Sequence, residues 1–175
     1  MSLFSLMLIA ISLSMDAFSL SLAYGTLKNN KKDIITLTIM IGIFHFLMPI
    51  IGLFLGNEIL KYIPIKPYII VFIILTFIGI EMIIDSFKKK EVKKMNGFQS
   101  ILFGFAVSID SFSVGIGLNS ITSNYLLAAS FFSVASALFT YLGLMLGNKI
   151  NKLIGSVATI MGGFILIVIG FFYLF

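Results

Sequence analysis

The sequence of 175 residues contains no cysteine, no tryptophan and no arginine, and it has a single histidine and three prolines. Without cysteine, the chain has no disulfide, no thiolate metal site and no cysteine nucleophile. A single histidine also excludes a metal site built from two or three imidazoles of one chain. Charged residues make up only 11% of the sequence, so too few polar groups are present to cover a soluble domain. This shortage excludes a soluble enzyme and a nucleic-acid-binding module.

Apolar residues, by contrast, are abundant: they form 59% of the chain, and the mean hydropathy is +1.14. A helix that crosses a membrane needs roughly 20 apolar residues. Six segments meet this requirement: 3–25, 34–56, 67–87, 98–119, 125–147 and 153–174. The sequence therefore predicts an all-α integral membrane protein of six transmembrane helices, a single domain over residues 1–175 surrounded by the lipid bilayer.

The lysines predict the orientation in the membrane. Ten of the twelve lie in the loops after spans 1, 3 and 5, and only Lys61 and Lys66 lie after span 2. Lysine-rich loops stay in the cytoplasm, so both termini are expected outside. The first span is not expected to be a cleaved signal peptide, because the first lysine is Lys28 and the span is too long. The lysine run within 88–94 is interpreted as a topology anchor, or else a site for anionic lipid or a partner.

Two pairs of segments indicate an internal repeat. Residues 14–19 (Ser-Met-Asp-Ala-Phe-Ser) match 108–113 (Ser-Ile-Asp-Ser-Phe-Ser), and residues 52–59 match 143–150, at offsets of 94 and 91. We place repeat 1 at about 1–87, a cytoplasmic linker at 88–97 and repeat 2 at about 98–175. Because each repeat holds three spans, the second copy is inverted relative to the first. Inverted repeats are typical of secondary transporters, with the substrate site at the repeat interface.

Asp16 and Asp110 occupy equivalent positions near the middle of spans 1 and 4. A carboxylate at that depth costs about 3 kcal/mol or more, so such groups face the bundle interior and are usually functional. Ser12 and Ser19 share the helix face of Asp16, and Ser113 shares that of Asp110. No arginine or mid-span lysine can neutralise the two carboxylates, so a bound cation or shared protons would relieve their repulsion. The alternative is a structural pair hydrogen-bonded to serine or backbone.

His45 and two further acids complete the set of candidate ligands. His45 lies in span 2, four residues before Pro49, and is interpreted either as a metal ligand or proton carrier or as a buried, hydrogen-bonded histidine. Its repeat mate is Ser136. Glu81 and Asp85 share one face of span 3. Glu81 lies deeper and is predicted to act in the ion path, whereas Asp85 is either functional or paired with the following lysines.

Carboxylates, hydroxyls, carbonyls and one imidazole form a donor set that suits Mg²⁺, Ca²⁺ or Mn²⁺, and the nitrogen slightly favours Mn²⁺. The ion is expected as a transported substrate, so no resident cofactor and no catalytic residue are predicted. No nucleic-acid partner is expected, and the sequence leaves the oligomeric state open.

Three segments carry a family resemblance: 14–18, 108–112 and 42–52. These segments are the most specific part of a resemblance that covers essentially the whole chain: it resembles the MntP-type manganese efflux pumps of the LysE-like transporter superfamily. The resemblance implies that Asp16 and Asp110 are metal-site carboxylates, and that His45 stands where the family usually has Gln or Glu. Residues 82–85 (Met-Ile-Ile-Asp) match the family's pattern in span 3, but the pattern does not include Glu81.

The resemblance implies export of Mn²⁺ from the cytoplasm across a bacterial plasma membrane, with proton antiport as a mode of coupling. One alternative is a sporulation-associated membrane protein of the same superfamily that transports no metal. Another is an intramembrane aspartyl protease with Asp16 and Asp110 as its dyad. Such proteases carry a Gly-x-Gly-Asp element, whereas Gly115-Ile116-Gly117 is followed here by Leu118. We therefore expect a transporter and no enzyme activity.

Overall fold

The computed structural model describes residues 3–26, 30–60, 67–87, 97–147 and 152–174, and the regular structure of these residues is entirely helical. The helices are α1 (Leu3–Gly25), α2 (Lys31–Leu60), α3 (Pro67–Ser86), α4 (Gly97–Val107), α5 (Ile109–Ile116), α6 (Leu118–Ile121), α7 (Tyr125–Leu146) and α8 (Lys152–Leu174). The lysine run within 88–94, on which much of the predicted orientation rests, lies outside the described residues.

Four stretches are long and apolar enough to cross a membrane: Leu3–Gly25, Lys31–Glu58, Phe98–Ile116 and Tyr125–Leu146. Two further apolar stretches are shorter, Val71–Ile84 in α3 and Thr159–Phe172 in α8. The helical, multi-pass character predicted from composition is thus confirmed. The number of six spans stays a prediction.

The span predicted as one helix over 98–119 is interrupted in the structure. At Ser108 the side-chain hydroxyl donates to the Gly104 carbonyl at 2.8 Å, while the Ser108 N–H donates to the Phe105 carbonyl at 3.1 Å. The hydroxyl thus takes the carbonyl that the backbone N–H would bond in a regular helix. As a result α4 ends at Val107 and α5 begins at Ile109, one residue before Asp110.

Glycines bring two pairs of helices into backbone contact, as small residues do between membrane helices. At four positions an added Cβ would collide with the backbone of the partner helix: Gly52 with Phe112, Gly56 with Ile116, Gly143 with Phe18 and Gly147 with Leu22. The first two hold α2 against α5, and the last two hold α7 against α1. Both pairs are parallel, and their contacts are related by the offsets of 91 and 94 found in the sequence.

The third pair of helices is antiparallel. Gly79 of α3 and Gly163 of α8 pack on each other's carbonyl oxygen, and an added Cβ on either would lie 2.5 Å from that atom. Gly79 also meets Ile167, and Gly163 meets Ile83, so an offset of 84 relates α3 to α8. The helix α8 also runs antiparallel to α1, since Gly162 lies against Ser12 and Thr159 donates to the Met15 carbonyl one turn further along α1. These directions agree with the predicted alternation of the spans.

The two halves differ in one respect. The helix α8 packs along α1 and buries Ser12 beneath Gly162. The equivalent of Ser12 in the second half, Ala106 of α4, is exposed, and so is the nearby Ile109. The helix α3, which the predicted repeat pairs with α8, meets the second half near Gly117. Between α3 and α4 the structure is therefore more open than between α8 and α1.

We expect Gly52→Ala to lower the free energy of unfolding by about 1–3 kcal/mol, towards the upper end, because the methyl group would meet a backbone carbonyl that has little room to move. Thermal unfolding of the purified protein in detergent measures the change.

Gly170→Ala is the matched control. Its methyl group would lie 3.2 Å or more from its neighbours, the nearest being Thr76 Oγ1, so a much smaller loss is expected. Equal losses for the two variants would contradict the role assigned to the α2–α5 contact.

Candidate functional site

Asp110 lies in the first turn of α5, where the interruption at Ser108 places a helix N-terminus inside the bundle. Its Oδ1 accepts a hydrogen bond from the Ser111 N–H at 2.6 Å, and only 15% of its side chain is exposed. The N-terminal end of a helix is favourable for a negative charge. Its other oxygen, Oδ2, is buried and has no hydrogen-bond partner among the described residues. Asp110 therefore keeps a carboxylate oxygen available inside the protein.

His45 of α2 faces this carboxylate. Its Nε2 lies 3.9 Å from Asp110 Oδ1, the side chain is fully buried, and Nε2 has no hydrogen-bond partner in the described part of the chain. On the other side of the ring, Nδ1 lies 3.0 Å from the Ile41 carbonyl oxygen and 2.8 Å from Ser108 Oγ. One ring nitrogen is thus held by the protein, and the other points towards a carboxylate that it does not directly bond.

Two further carboxylates lie near this pair. Asp16 of α1 and Glu81 of α3 are both close enough to Asp110 to act on its charge. Asp16 is partly buried, and Glu81 is exposed, in keeping with the open space between α3 and α4. Within the described residues, no three acidic or histidine side chains form a compact metal-binding cluster. The structure thus brings His45 and Asp110 together and leaves Asp16 and Glu81 in the surroundings.

The equivalent position in the first half carries a serine pair. Ser14 Oγ lies 3.1 Å from Ser136 Oγ and donates to the Ala10 carbonyl at 2.6 Å. The offset of 94 relates Ser14 to Ser108, and the offset of 91 relates Ser136 to His45, so this contact corresponds to the one between Ser108 and His45. The two halves therefore hold the same junction with different chemistry: hydroxyl against hydroxyl in one, hydroxyl against imidazole in the other.

The remaining predicted supporting residues are dispersed. Ser12 is fully buried against α8, and its hydroxyl has no hydrogen-bond partner among the described residues. Ser113 lies 3.2 Å from the Ile109 carbonyl oxygen of its own helix, and Ser19 is partly buried on α1. Asp85 belongs to α3, but its side chain lies outside the described part of the structure.

Ser108 and Ser14 were not among the site residues predicted from sequence. Both begin the repeated Ser-x-Asp element, two residues before the aspartate, and this repetition was a signal that they share a role. The contacts of these two hydroxyls with other helices are visible only in the structure. From the sequence alone, a serine hydroxyl in a helix can equally bond a carbonyl of its own helix and touch no other helix.

The His45–Asp110 geometry suits a shared ion. Two donors that each lie about 2.1 Å from one small divalent cation are roughly 3.0–3.9 Å apart when they subtend about 90–135°. The observed separation of 3.9 Å falls at the wide end of that range. An imidazole nitrogen beside a carboxylate is a ligand combination that favours a transition metal over Mg²⁺ or Ca²⁺.

Comparison with known proteins agrees with this chemistry. The profile of a family described as "Putative manganese efflux pump" matches residues 28–174. Among curated proteins, one from Methanocorpusculum labreanum is 38% identical over 176 residues, with 98% of this chain and 95% of the relative covered. One from Bacillus velezensis is 36% identical over 170 residues, covering 96% and 92%. Both relatives carry the name "Putative manganese efflux pump MntP".

A third relative, from Methanobrevibacter smithii, carries the same name and is 35% identical over 175 residues, with 97% of this chain and 95% of the relative covered. No solved structure matches the chain. The resemblance inferred from the three sequence segments is confirmed over nearly the whole length, and the chain belongs to the MntP family.

Proposed function

We propose that this protein exports Mn²⁺ from the cytoplasm through a site formed by Asp110 and His45 together with Asp16 and Glu81. The observation that carries the proposal is the buried Nε2 of His45, which has no hydrogen-bond partner in the described residues and lies 3.9 Å from Oδ1 of Asp110. The other carboxylate oxygen of Asp110, Oδ2, is likewise buried without a partner there. A buried polar atom without a partner costs free energy, and a cation between the two groups offsets that cost.

Electrostatics supports a cation as the ligand. Asp16 and Glu81 add negative charge near Asp110, and the chain has no arginine to neutralise it. In a low-dielectric interior these carboxylates repel one another unless a cation or protons intervene. A site that holds Mn²⁺ and protons in turn would meet this requirement. Export of Mn²⁺ would then be coupled to the entry of protons, which is proton antiport.

The proposed architecture is six membrane spans arranged as two inverted repeats. The recurrence of glycine and serine contacts at the offsets of 91 and 94 supports it, and so do the alternating helix directions. In repeat-built transporters the site opens to each side in turn as one half rocks against the other.

The asymmetry of the halves supports an alternating-access step. The helix α8 covers α1, whereas α3 stands away from α4. The lysines predict that the loops after spans 1, 3 and 5 lie in the cytoplasm. In that orientation the opening beside α4 faces the cytoplasm, and Glu81 lies at its cytoplasmic end. The outward-open state then requires α3 to close on α4 as α8 now closes on α1.

The first test is metal binding by the purified protein. Wild-type protein should be stabilised by about 2.7 kcal/mol when free Mn²⁺ is a hundredfold above its Kd. Asp110→Asn should lose this gain, while its metal-free form is at least as stable as the wild type because a repelling charge is removed. Thermal unfolding with and without MnCl₂ measures both quantities.

Asp33→Asn is the matched control, since it makes the same chemical change in the first turn of α2, away from the site. It should keep the full gain from Mn²⁺. A normal gain for Asp110→Asn would exclude Asp110 as a ligand.

The second test is manganese accumulation in cells that lack their other manganese exporters. Expression of the wild-type chain should lower cellular Mn²⁺ and restore growth in high manganese. Asp16→Asn and Asp110→Asn should each lose most of this activity, because an amide neither supplies the charge nor exchanges a proton, and Asp33→Asn should retain it. Export that persists in both site variants at equal expression would refute the site assignment.

The third test concerns the alternating-access step. Gly162 of α8 contacts Ser12 of α1. The offset of 84 relates Gly162 to Ile78 of α3, and the offset of 94 relates Ser12 to Ala106 of α4, so Ile78 and Ala106 are the equivalent pair. The chain has no native cysteine, so a short thiol-specific cross-linker applied to the double variant Ile78→Cys, Ala106→Cys should join α3 to α4 and stop export. Each single variant, treated identically, should continue to export. Undiminished export by the fully cross-linked protein would contradict closure of α3 on α4.

A further inference from the structure

The only histidine of the chain is held by a hydrogen-bond arrangement whose purpose the proposed site does not by itself explain. Ile41 O and Ser108 Oγ both lie within hydrogen-bond distance of His45 Nδ1. A neutral imidazole carries its proton on either Nδ1 or Nε2, and the environment of one nitrogen selects the form. The contacts of Nδ1 therefore determine what Nε2 offers to Asp110.

The proton can be assigned from the partners. The Ile41 carbonyl oxygen only accepts hydrogen bonds, so its 3.0 Å contact favours a proton on Nδ1. The Ser108 hydroxyl donates to the Gly104 carbonyl at 2.8 Å, which leaves Ser108 Oγ as an acceptor towards the ring. The Nδ1–H group is thus shared between two acceptors, and Nε2 carries the lone pair.

We infer that Ser108 is a positioning residue that holds His45 as the Nδ1–H tautomer, with the lone pair of Nε2 directed towards Asp110 as a nitrogen ligand for the transported ion. Metal-binding histidines commonly donate their other N–H to a fixed acceptor, which sets the tautomer and the ring orientation. Here the acceptor belongs to the same interrupted turn that presents Asp110, so one segment of chain orients both ligands.

The first half provides an internal comparison. Ser14 occupies the position of Ser108 and also bonds the carbonyl four residues earlier, but it faces the Ser136 hydroxyl. The hydroxyl is therefore common to both repeats, whereas the imidazole is present in one. Because only the second junction supplies nitrogen, we assign to Ser108, and not to Ser14, an effect on the choice between Mn²⁺ and Mg²⁺.

This inference deepens the proposed Mn²⁺ site and rests on it, but its first test needs neither metal nor transport. Because the chain has one histidine, labelling histidine with ¹⁵N gives one pair of side-chain nitrogen signals from the purified, metal-free protein. In the wild type, Nδ1 should show the protonated form and Nε2 the unprotonated form. A wild-type spectrum with the proton on Nε2 would overturn the inference without any variant.

The second test compares Ser108→Ala, Ser108→Thr and Ser14→Ala. In Ser108→Ala the Ile41 carbonyl is the one acceptor left to the Nδ1–H group, so the two nitrogen signals should move part of the way towards each other, and Mn²⁺ affinity should fall about 10–100-fold. Mg²⁺ affinity, which depends on oxygen ligands, should change much less. Ser108→Thr keeps the hydroxyl and should restore the spectrum and the Mn²⁺ affinity, and Ser14→Ala should leave the spectrum unchanged.

These outcomes separate the inference from the proposed function. Equal losses of Mn²⁺ and Mg²⁺ affinity in Ser108→Ala, with an unchanged tautomer, would show a merely structural serine and overturn the positioning role. A wild-type protein with the expected tautomer that neither binds nor exports Mn²⁺ would refute the proposed function, while the assignment of the Nδ1 proton to Ser108 would stand.

Discussion

The backbone contacts made by glycines are the interaction on which the rest of the structure depends. Gly52 and Gly56 hold α2 against α5, and Gly143 and Gly147 hold α7 against α1. Lipid chains are as apolar as the side chains of the helices, so helix association in a membrane relies on close packing and not on hydrophobic burial. These contacts fix the register of each pair, and that register places His45 beside Ser108 and Asp110, two turns along α2 from Gly52. A slip of one turn would separate the imidazole from the carboxylate.

A second constraint is the scarcity of compensating charge. Asp16 and Glu81 both lie within electrostatic range of Asp110, while the sequence contains no arginine and has its lysines in the predicted loops. A structural role for Asp110 would call for a cationic side chain or a set of donors, whereas its Oδ1 accepts from the Ser111 N–H and its Oδ2 has no hydrogen-bond partner among the described residues. The arrangement is better adapted to a mobile cation, which enters, is held by few ligands and leaves.

Much of this organisation is predictable from the sequence because membrane constraints act on long segments. Apolar runs set the helices, and a carboxylate at mid-span marks the interior whatever its exact contacts. The predicted proximity of Asp16 and Asp110 followed from the repeat. The interruption at Ser108 was not predictable, since it depends on which of two donors takes the Gly104 carbonyl. The positions of Ser12, Ser19 and Ser113 away from the His45–Asp110 pair were also not predictable, because a shared helix face does not determine which neighbouring helix covers it.

The differences between the two halves bear directly on the proposed transport mechanism. A perfectly symmetric pair of inverted repeats would offer the same environment to the ion from both sides, and nothing would favour one conformation over the other. Here one junction has an imidazole and the other a serine, Glu81 has no acidic counterpart on α8, and α8 covers α1 more fully than α3 covers α4. In the proposed site, an ion bound by His45 and Asp110 changes the balance of forces mainly at the second junction. A ligand shifts a conformational equilibrium only through a difference in its affinity for the two states. In the proposed mechanism, this chemical asymmetry would therefore let the bound ion bias which side of the membrane the site faces.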